Sequence, residues 1–236
     1  LIFAQKYLNL MLMYKNFIIA IDGPAGSGKS TTAKKVAESL HYLYIDTGAM
    51  YRAITYLAMQ GNLLDNEQQI IKLAESVKID LKFVGGKTLI SADGKDISEE
   101  IRSIDVNKNV SQVSKISGVR KALVRQQQNL AENNNGVVIE GRDVTTVVFP
   151  NADIKIFLTA GIDERAERRL LEYEQKNINV SLDDIKNNIQ ERDLIDSTRA
   201  DSPLKKADDA IEIDTSSITI EEQVNIILNK VKEYIN

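Results

Sequence analysis

The 236-residue chain contains no cysteine, which excludes disulfides, a thiolate nucleophile and a cysteine-ligated metal. A cytosolic setting fits that lack. Only one histidine is present, His41, at the end of the first helical run and away from the strand ends, where it reads as a surface or capping residue rather than a catalyst. No uninterrupted apolar run reaches the length of a membrane span. A formal net charge of −4 gives no overall attraction to nucleic acid, so any anionic ligand has to be held by local clusters.

What remains is enough for a proper core. A chain of this length with 43% hydrophobic residues suits one α/β domain with an embellishment, or two small domains. Residues 1–15 open on Leu1 and carry Met11 and Met13 before the first strand. They lack a small-residue cleavage site and run into a core strand, so they are expected to be an extension upstream of a start at Met13, not a signal peptide.

Gly23-Pro24-Ala25-Gly26-Ser27-Gly28-Lys29-Ser30-Thr31 fits the phosphate-loop pattern G-x-x-x-x-G-K-[ST]. Phe17 to Ile21 before it is a short apolar run, and Thr32 to Leu40 after it has helical spacing, so the order is strand, loop, helix. Such a loop turns backbone N–H groups onto phosphate oxygens at a helix N-terminus, with Lys29 reaching the β and γ phosphates and Ser30 able to ligate Mg2+. A nucleoside triphosphate is the expected ligand.

Five runs read as buried parallel strands: Phe17–Ile21, Leu43–Asp46, Val137–Glu140, Ile154–Leu158 and Ala210–Asp214. Helical segments separate most of them, which predicts an α/β sheet covered on both faces. Asp46, Glu140 and Asp214 end three of these runs, and ligands of such sheets gather at the carboxyl ends of strands. Between Asn62 and Ser117 the alternation stops. A polar helix from Asn66 to Val77 precedes period-two runs punctuated by Gly85-Gly86 and Asp93-Gly94, which predict a small antiparallel sheet inserted in the parallel core.

Arginine is half as frequent as lysine, and its positions point to planar recognition of phosphate or carboxylate. Arg52 follows strand two, Arg142 follows strand three, and Arg192, Asp196 and Arg199 share one helical face at i, i+4 and i+7. Together they predict a second anionic ligand facing the triphosphate. Arg165, Arg168 and Arg169, interleaved with Glu164 and Glu167, fit either a lid or a salt-bridged surface, while Arg102 and Arg125 read as solvated. A GTPase is excluded because no Asp-x-x-Gly follows the loop and Asn107-Lys108-Asn109-Val110 lacks the guanine-reading Asp. A transporter-type ATPase signature is also absent. A small-molecule or nucleotide kinase is left.

Beyond the phosphate loop, the runs Asp46-Thr47-Gly48-Ala49-Met50-Tyr51-Arg52, Gly141-Arg142-Asp143 through Val148-Phe149-Pro150, and Arg192-Asp193 through Asp196-Ser197-Thr198-Arg199 with Ser202-Pro203-Leu204 resemble bacterial cytidylate kinases. The resemblance extends from about Phe17 to the C-terminus. It implies an α/β P-loop kinase fold in three layers: a core over 16–61 and 118–236 with a five-stranded parallel sheet, a lid near 160–180, and an inserted nucleoside monophosphate-binding domain over 62–117. It implies transfer of the γ-phosphoryl group of ATP, with Mg2+, to CMP or dCMP by a cytoplasmic monomer. Shikimate, gluconate or dephospho-coenzyme A kinases are the nearest alternatives, and a non-catalytic nucleotide-binding regulator is a more distant one.

By the same resemblance, Gly23 to Thr31 with Arg165, Arg168 and Arg169 hold ATP. Thr47, Tyr51, Arg52, Arg142 and Arg199 place the acceptor phosphate. Ser111, Arg120 and Asp143 read cytosine, while Arg192 and Asp196 contact ribose or phosphate. Lys29, Arg142 and Arg199 carry the catalytic charge. Two positions depart from the family's pattern: Thr47 stands in place of serine, and Thr145 stands where glycine is usual, so the backbone after Asp143 is expected to take a different course. No residue reads as a general base, and none is needed, because an acceptor phosphate with a second pKa of about 6 is already mostly deprotonated at neutral pH.

Overall fold

A computed structural model describes residues 17–84, 87–175 and 177–235. The expected extension over 1–15 and the Gly85-Gly86 turn lie outside the described residues. In chain order the elements begin with β1 (Phe17–Asp22), α1 (Lys29–Leu40), β2 (Leu43–Asp46), α2 (Thr47–Gln60) and α3 (Glu67–Ser76). Next come β3 (Ile79–Val84), β4 (Lys87–Ala92), β5 (Lys95–Asp96), a 3-10 turn (Glu100–Arg102), α4 (Ile104–Lys115) and α5 (Ser117–Glu132). The last third holds β6 (Gly136–Gly141), a π-helical turn (Val144–Val148), β7 (Ile154–Thr159), α6 (Ile162–Glu174), α7 (Leu182–Thr198), β8 (Ile211–Asp214) and α8 (Ile220–Ile235).

The parallel sheet has five strands in the order β2-β6-β1-β7-β8. Alternation along β1 sends Phe17, Ile19 and Ile21 to one face, where they meet Ala33, Val36 and Ala37 of α1 and Val224, Ile227 and Val231 of α8. Ala20, with Ile45, Val137 and Ile139, faces the other side against Met50 and Ile54 of α2 and Leu123 of α5. Isoleucines closed off in this way each contribute about 2–3 kcal/mol, which fixes which side of every strand points to which helix layer. Because the strands are parallel and in register, with Asp22 opposite Gly141 and Asp46 opposite Glu140, their carboxyl ends open on one edge.

The second sheet, β3-β4-β5, is antiparallel. Its β4–β5 turn places Asp93 at φ 48° and Gly94 at φ 83°, the left-handed pair expected of a two-residue hairpin. Phe83 of β3 meets Tyr44 of β2 edge-on at 5.3 Å, joining the small sheet to the large one. The two-residue β5 and the helix α4, capped by Ser103 through the Val106 N–H, were not evident in the sequence pattern. Ala166 of α6 packs with Ile185 and Ile189 of α7 in a small cluster of its own.

Candidate functional site

The loop after β1 is shaped by backbone conformations that a side chain would disrupt. Gly23 has φ 152°, and a Cβ there would come within 2.1 Å of the Leu158 carbonyl oxygen. Gly26 has φ 77° and lies against Arg165, with a Cβ only 3.0 Å from that side chain. The helix α1 starts directly from the loop with no side-chain cap, so its first N–H groups are left for an anionic ligand. Lys29 is buried and donates to the Pro24 carbonyl at 2.7 Å and the Ser27 hydroxyl at 3.4 Å. Burial, reinforced by the Arg142 guanidinium, pushes its ammonium down to about 7.

A cleft of about 570 Å³ runs from this loop past the ends of β2 and β6 to α4 and α7. Ala25, Gly26, Gly28, Lys29, Ser30 and Thr31 line its loop end, while Gly23, Pro24 and Ser27 shape the loop from behind. At the end of β2, Asp46 caps α2 through the Ala49 N–H at 2.8 Å and holds Arg52 at 3.0 Å. Thr47 donates its hydroxyl to the Glu140 carbonyl at 2.8 Å. Ser111 lines the opposite wall from α4.

A chain of ion pairs crosses the floor between these walls. Arg120 Nη2 is 2.5 Å from Asp143 Oδ2, and Arg199 Nη2 is 3.7 Å from Asp143 Oδ1. Arg199 Nη1 is 3.4 Å from Asp196 Oδ1, whose other oxygen accepts from Arg142 Nε at 2.9 Å. The Arg120 guanidinium also lies over the Tyr51 ring at 5.2 Å. Arg192 faces the same cleft with a buried Nε that has no partner. Burial, then Arg142 and Arg169, holds its guanidinium below the ordinary value.

Arg199 departs from the expected shared helical face. The helix α7 stops at Thr198, and Arg199 is extended with φ −61° and ψ 144°. The cause is a turn in which the Asp196 carbonyl accepts from Leu204 N and Arg199 Nε donates to the Ser202 carbonyl at 2.7 Å. The guanidinium still joins the ion-pair chain.

The three arginines of α6 are not equivalent. Arg165 is buried behind the phosphate loop, donating to the Ala25 carbonyl at 3.1 Å and pairing with Asp193, which in turn accepts from Ala25 N. It does not line the cleft, and its guanidinium grips the loop backbone instead. Arg168 reaches the Gly26 carbonyl at 3.4 Å and both oxygens of Thr215. Arg169, at the cleft margin, pairs with Glu172 at 2.7 Å.

Glu140, the carboxylate expected at the end of the third strand, is buried, pushed up by burial and by Asp46 and hydrogen-bonded by the Tyr44 hydroxyl. Two further groups are not singled out by the sequence pattern: Asp193, which is half-buried, and Asp22, fully buried at the last position of β1. Ending that strand one residue later would have marked Asp22 as a fourth strand-terminal carboxylate. Its oxygens accept from Val144 N at 3.0 Å and from Thr145 N and Oγ1, each at 2.7 Å. Thr145 thus sits in a π-helical turn pinned to the strand that feeds the phosphate loop.

Among the described residues no group of three or more histidines, cysteines or carboxylates could hold a metal by itself. Ser30, exposed at the start of α1 and within hydrogen-bonding reach of Glu140, offers one hydroxyl. That donor set fits magnesium arriving with a nucleotide, because the ion keeps several waters and takes its other ligands from phosphate.

Comparison with known proteins agrees with this geometry. The family model described as cytidylate kinase matches residues 19–233. A cytidylate kinase from Bacillus cereus is 50% identical over 218 residues, covering 92% of this chain and 96% of the relative. Cytidylate kinases from Bacillus thuringiensis and Bacillus anthracis are each 50% identical over 217 residues, with the same coverage. With the phosphate loop, the paired arginines and this match in hand, the chain belongs to the cytidylate kinase family.

Proposed function

We propose that this protein transfers the γ-phosphoryl group of ATP to CMP or dCMP, giving ADP and CDP or dCDP. The observation that carries the reading is the convergence of Arg52, Arg120, Arg142, Arg192 and Arg199, from four segments of the chain, on a cleft whose other end is the phosphate loop. Two mutually repelling anions have to be held in line, and fixed positive charge on both sides does that.

On the donor side, the loop N–H groups and Lys29 hold the β and γ phosphates, and Ser30 is the side chain that would hold magnesium. With Ser30 holding it, the ion would supply positive charge to offset the charge developing on the transferring phosphate. On the acceptor side, Arg52, Arg142 and Arg199 bind the monophosphate, and Arg142 and Arg199, already oriented by Asp196, meet the transferring group without reorganising. Thr47 and Tyr51 border the same phosphate, and Arg192 with Asp196 borders the ribose. Cytosine presents an amino donor and two acceptors. Asp143 and Ser111 suit the donor, and Arg120 suits the acceptors. Uracil reverses the pattern at the amino and N3 positions, so it leaves these buried groups mismatched.

The insert over 62–117 forms the acceptor wall through Ser111, and the α6–α7 pair forms the lid beside the donor. Arg168 and Arg169 line the cleft at the donor end and face ATP, while Arg165 acts through the loop it holds. A coupled ADP-release assay with CMP, dCMP, UMP, AMP and shikimate side by side tests the reading. Turnover confined to CMP and dCMP is expected. Preference for shikimate, or no ADP with any acceptor, would overturn it.

A further inference from the structure

The cleft described above does not account for Asp22. It is fully buried, one residue before the phosphate loop, and its two oxygens accept three hydrogen bonds, all from Val144 and Thr145. The turn it holds is crowded. A Cβ on Gly141 would fall 2.6 Å from Val144 Cγ2 and 2.7 Å from Thr47 Oγ1, so Arg142 and Asp143 leave β6 through a passage with little slack. Asp143 O accepts from Val147 N at 2.8 Å and from Val148 N at 3.2 Å, which makes Asp143 the entry to the π-helical turn containing Thr145. The strand feeding the donor loop is therefore bonded directly to the segment that carries Asp143.

We propose that Asp22 and Thr145 are positioning residues for acceptor recognition, with the Thr145 hydroxyl supplying the third bond that fixes where Asp143 presents its carboxylate. The inference rests on reading Asp143 as the contact to the cytosine amino group. A buried carboxylate requires its hydrogen bonds, and Oδ2 of Asp22 receives one from backbone and one from a side chain. Removing the hydroxyl leaves Asp22 short of a donor and frees the turn to settle elsewhere. The change reaches Asp143 and, through it, Arg120. Neither Asp22 nor Thr145 lines the cleft, so their influence is by placement alone.

Thr145→Val keeps the branched shape and loses the hydroxyl, whereas Thr145→Ser keeps the hydroxyl. Steady-state kinetics are measured with CMP and UMP at saturating ATP and with ATP at saturating CMP. For the valine variant, KM for CMP rises about tenfold, the scale of one lost hydrogen bond to a charged group. Its kcat stays within about twofold, KM for ATP is unchanged and the preference for CMP over UMP narrows; serine restores the wild-type values. Thr145→Ala is made in parallel, so that a folding failure of the valine variant leaves the comparison intact. A wild-type KM for CMP in the variants lacking the hydroxyl, or no rescue by serine, overturns the positioning role. Asp143→Ala separates the two levels, because an unchanged KM for CMP there overturns the underlying cytosine reading itself.

Discussion

Arg142 and Asp196 lie 54 positions apart in the chain and meet through a 2.9 Å bond from Nε to Oδ2. The pairing holds the guanidinium across the end of β6, where its Nη1 also donates to the Gly141 carbonyl at 3.2 Å. An arginine fixed by two contacts at the mouth of a parallel sheet can meet charge that develops in a transition state, and does so at little entropic cost.

Arg142→Ala is therefore expected to lower kcat by about a hundredfold or more, the scale on which one preorganised charge-stabilising donor acts. ATP affinity, measured by titration calorimetry without acceptor, should stay within about threefold. A matching loss of ATP affinity would place Arg142 on the donor side and contradict the assignment.

Asp196→Ala acts on the same pair from the other end. Arg142 loses its carboxylate, Arg199 keeps only Asp143 at 3.7 Å, and Arg192 is left among like charges. The side chains are 13% exposed for Asp196 and 21% for Arg142, so screening tempers the loss to about 2 kcal/mol of folding stability. Urea unfolding measures it. Added sulfate should recover part of the loss, because an anion in the cleft takes over the neutralising role, and a sulfate-insensitive variant would count against that account.

The loop Gly23 to Thr31 and the five parallel strands were legible in the sequence because each is a contiguous pattern. The arginines could be listed but not sorted: spacing alone gives Arg165 and Arg169 equal standing, yet one is buried against Ala25 and the other lies on the cleft margin. Sorting them needs Asp193, which belongs to a different helix. Asp22 was hidden for a similar reason, its partners Val144 and Thr145 being 122 and 123 positions away. Arg199 shows the converse, since a helical period that looked unbroken ends at Thr198 where the Asp196 carbonyl turns to Leu204. Local pattern specifies elements; long-range hydrogen bonds decide which side chain supports the site and which one meets the ligand.

The grip of α6 and α7 on the phosphate loop predicts a donor-side phenotype for residues that do not line the cleft. Arg165 donates to Ala25 O, and Asp193 accepts from Ala25 N. Arg165→Ala and Asp193→Asn should each raise KM for ATP about tenfold while KM for CMP moves less than twofold. The two act as one unit, so the double variant should be little worse than either single one. Strict additivity would argue that the pair is not a unit.

The last prediction concerns a proton. With Lys29 pushed down to about 7 by burial and by Arg142, the free protein at pH 8 holds this side chain mostly neutral. Phosphate oxygens favour the ammonium, so its pKa rises in the nucleotide complex and binding at pH 8 takes up a proton. At pH 6 the ammonium is already formed, and uptake by this group should vanish. ATP affinity should accordingly fall as pH rises through 7. Calorimetry of ATP binding in buffers of different ionisation enthalpy reads the proton count directly, and at pH 8 the terminal phosphate of ATP is already deprotonated and adds almost nothing. Lys29→Met should abolish the pH 8 uptake. Equal uptake in that variant would mean that another group carries the proton, and that Lys29 is charged before the nucleotide arrives.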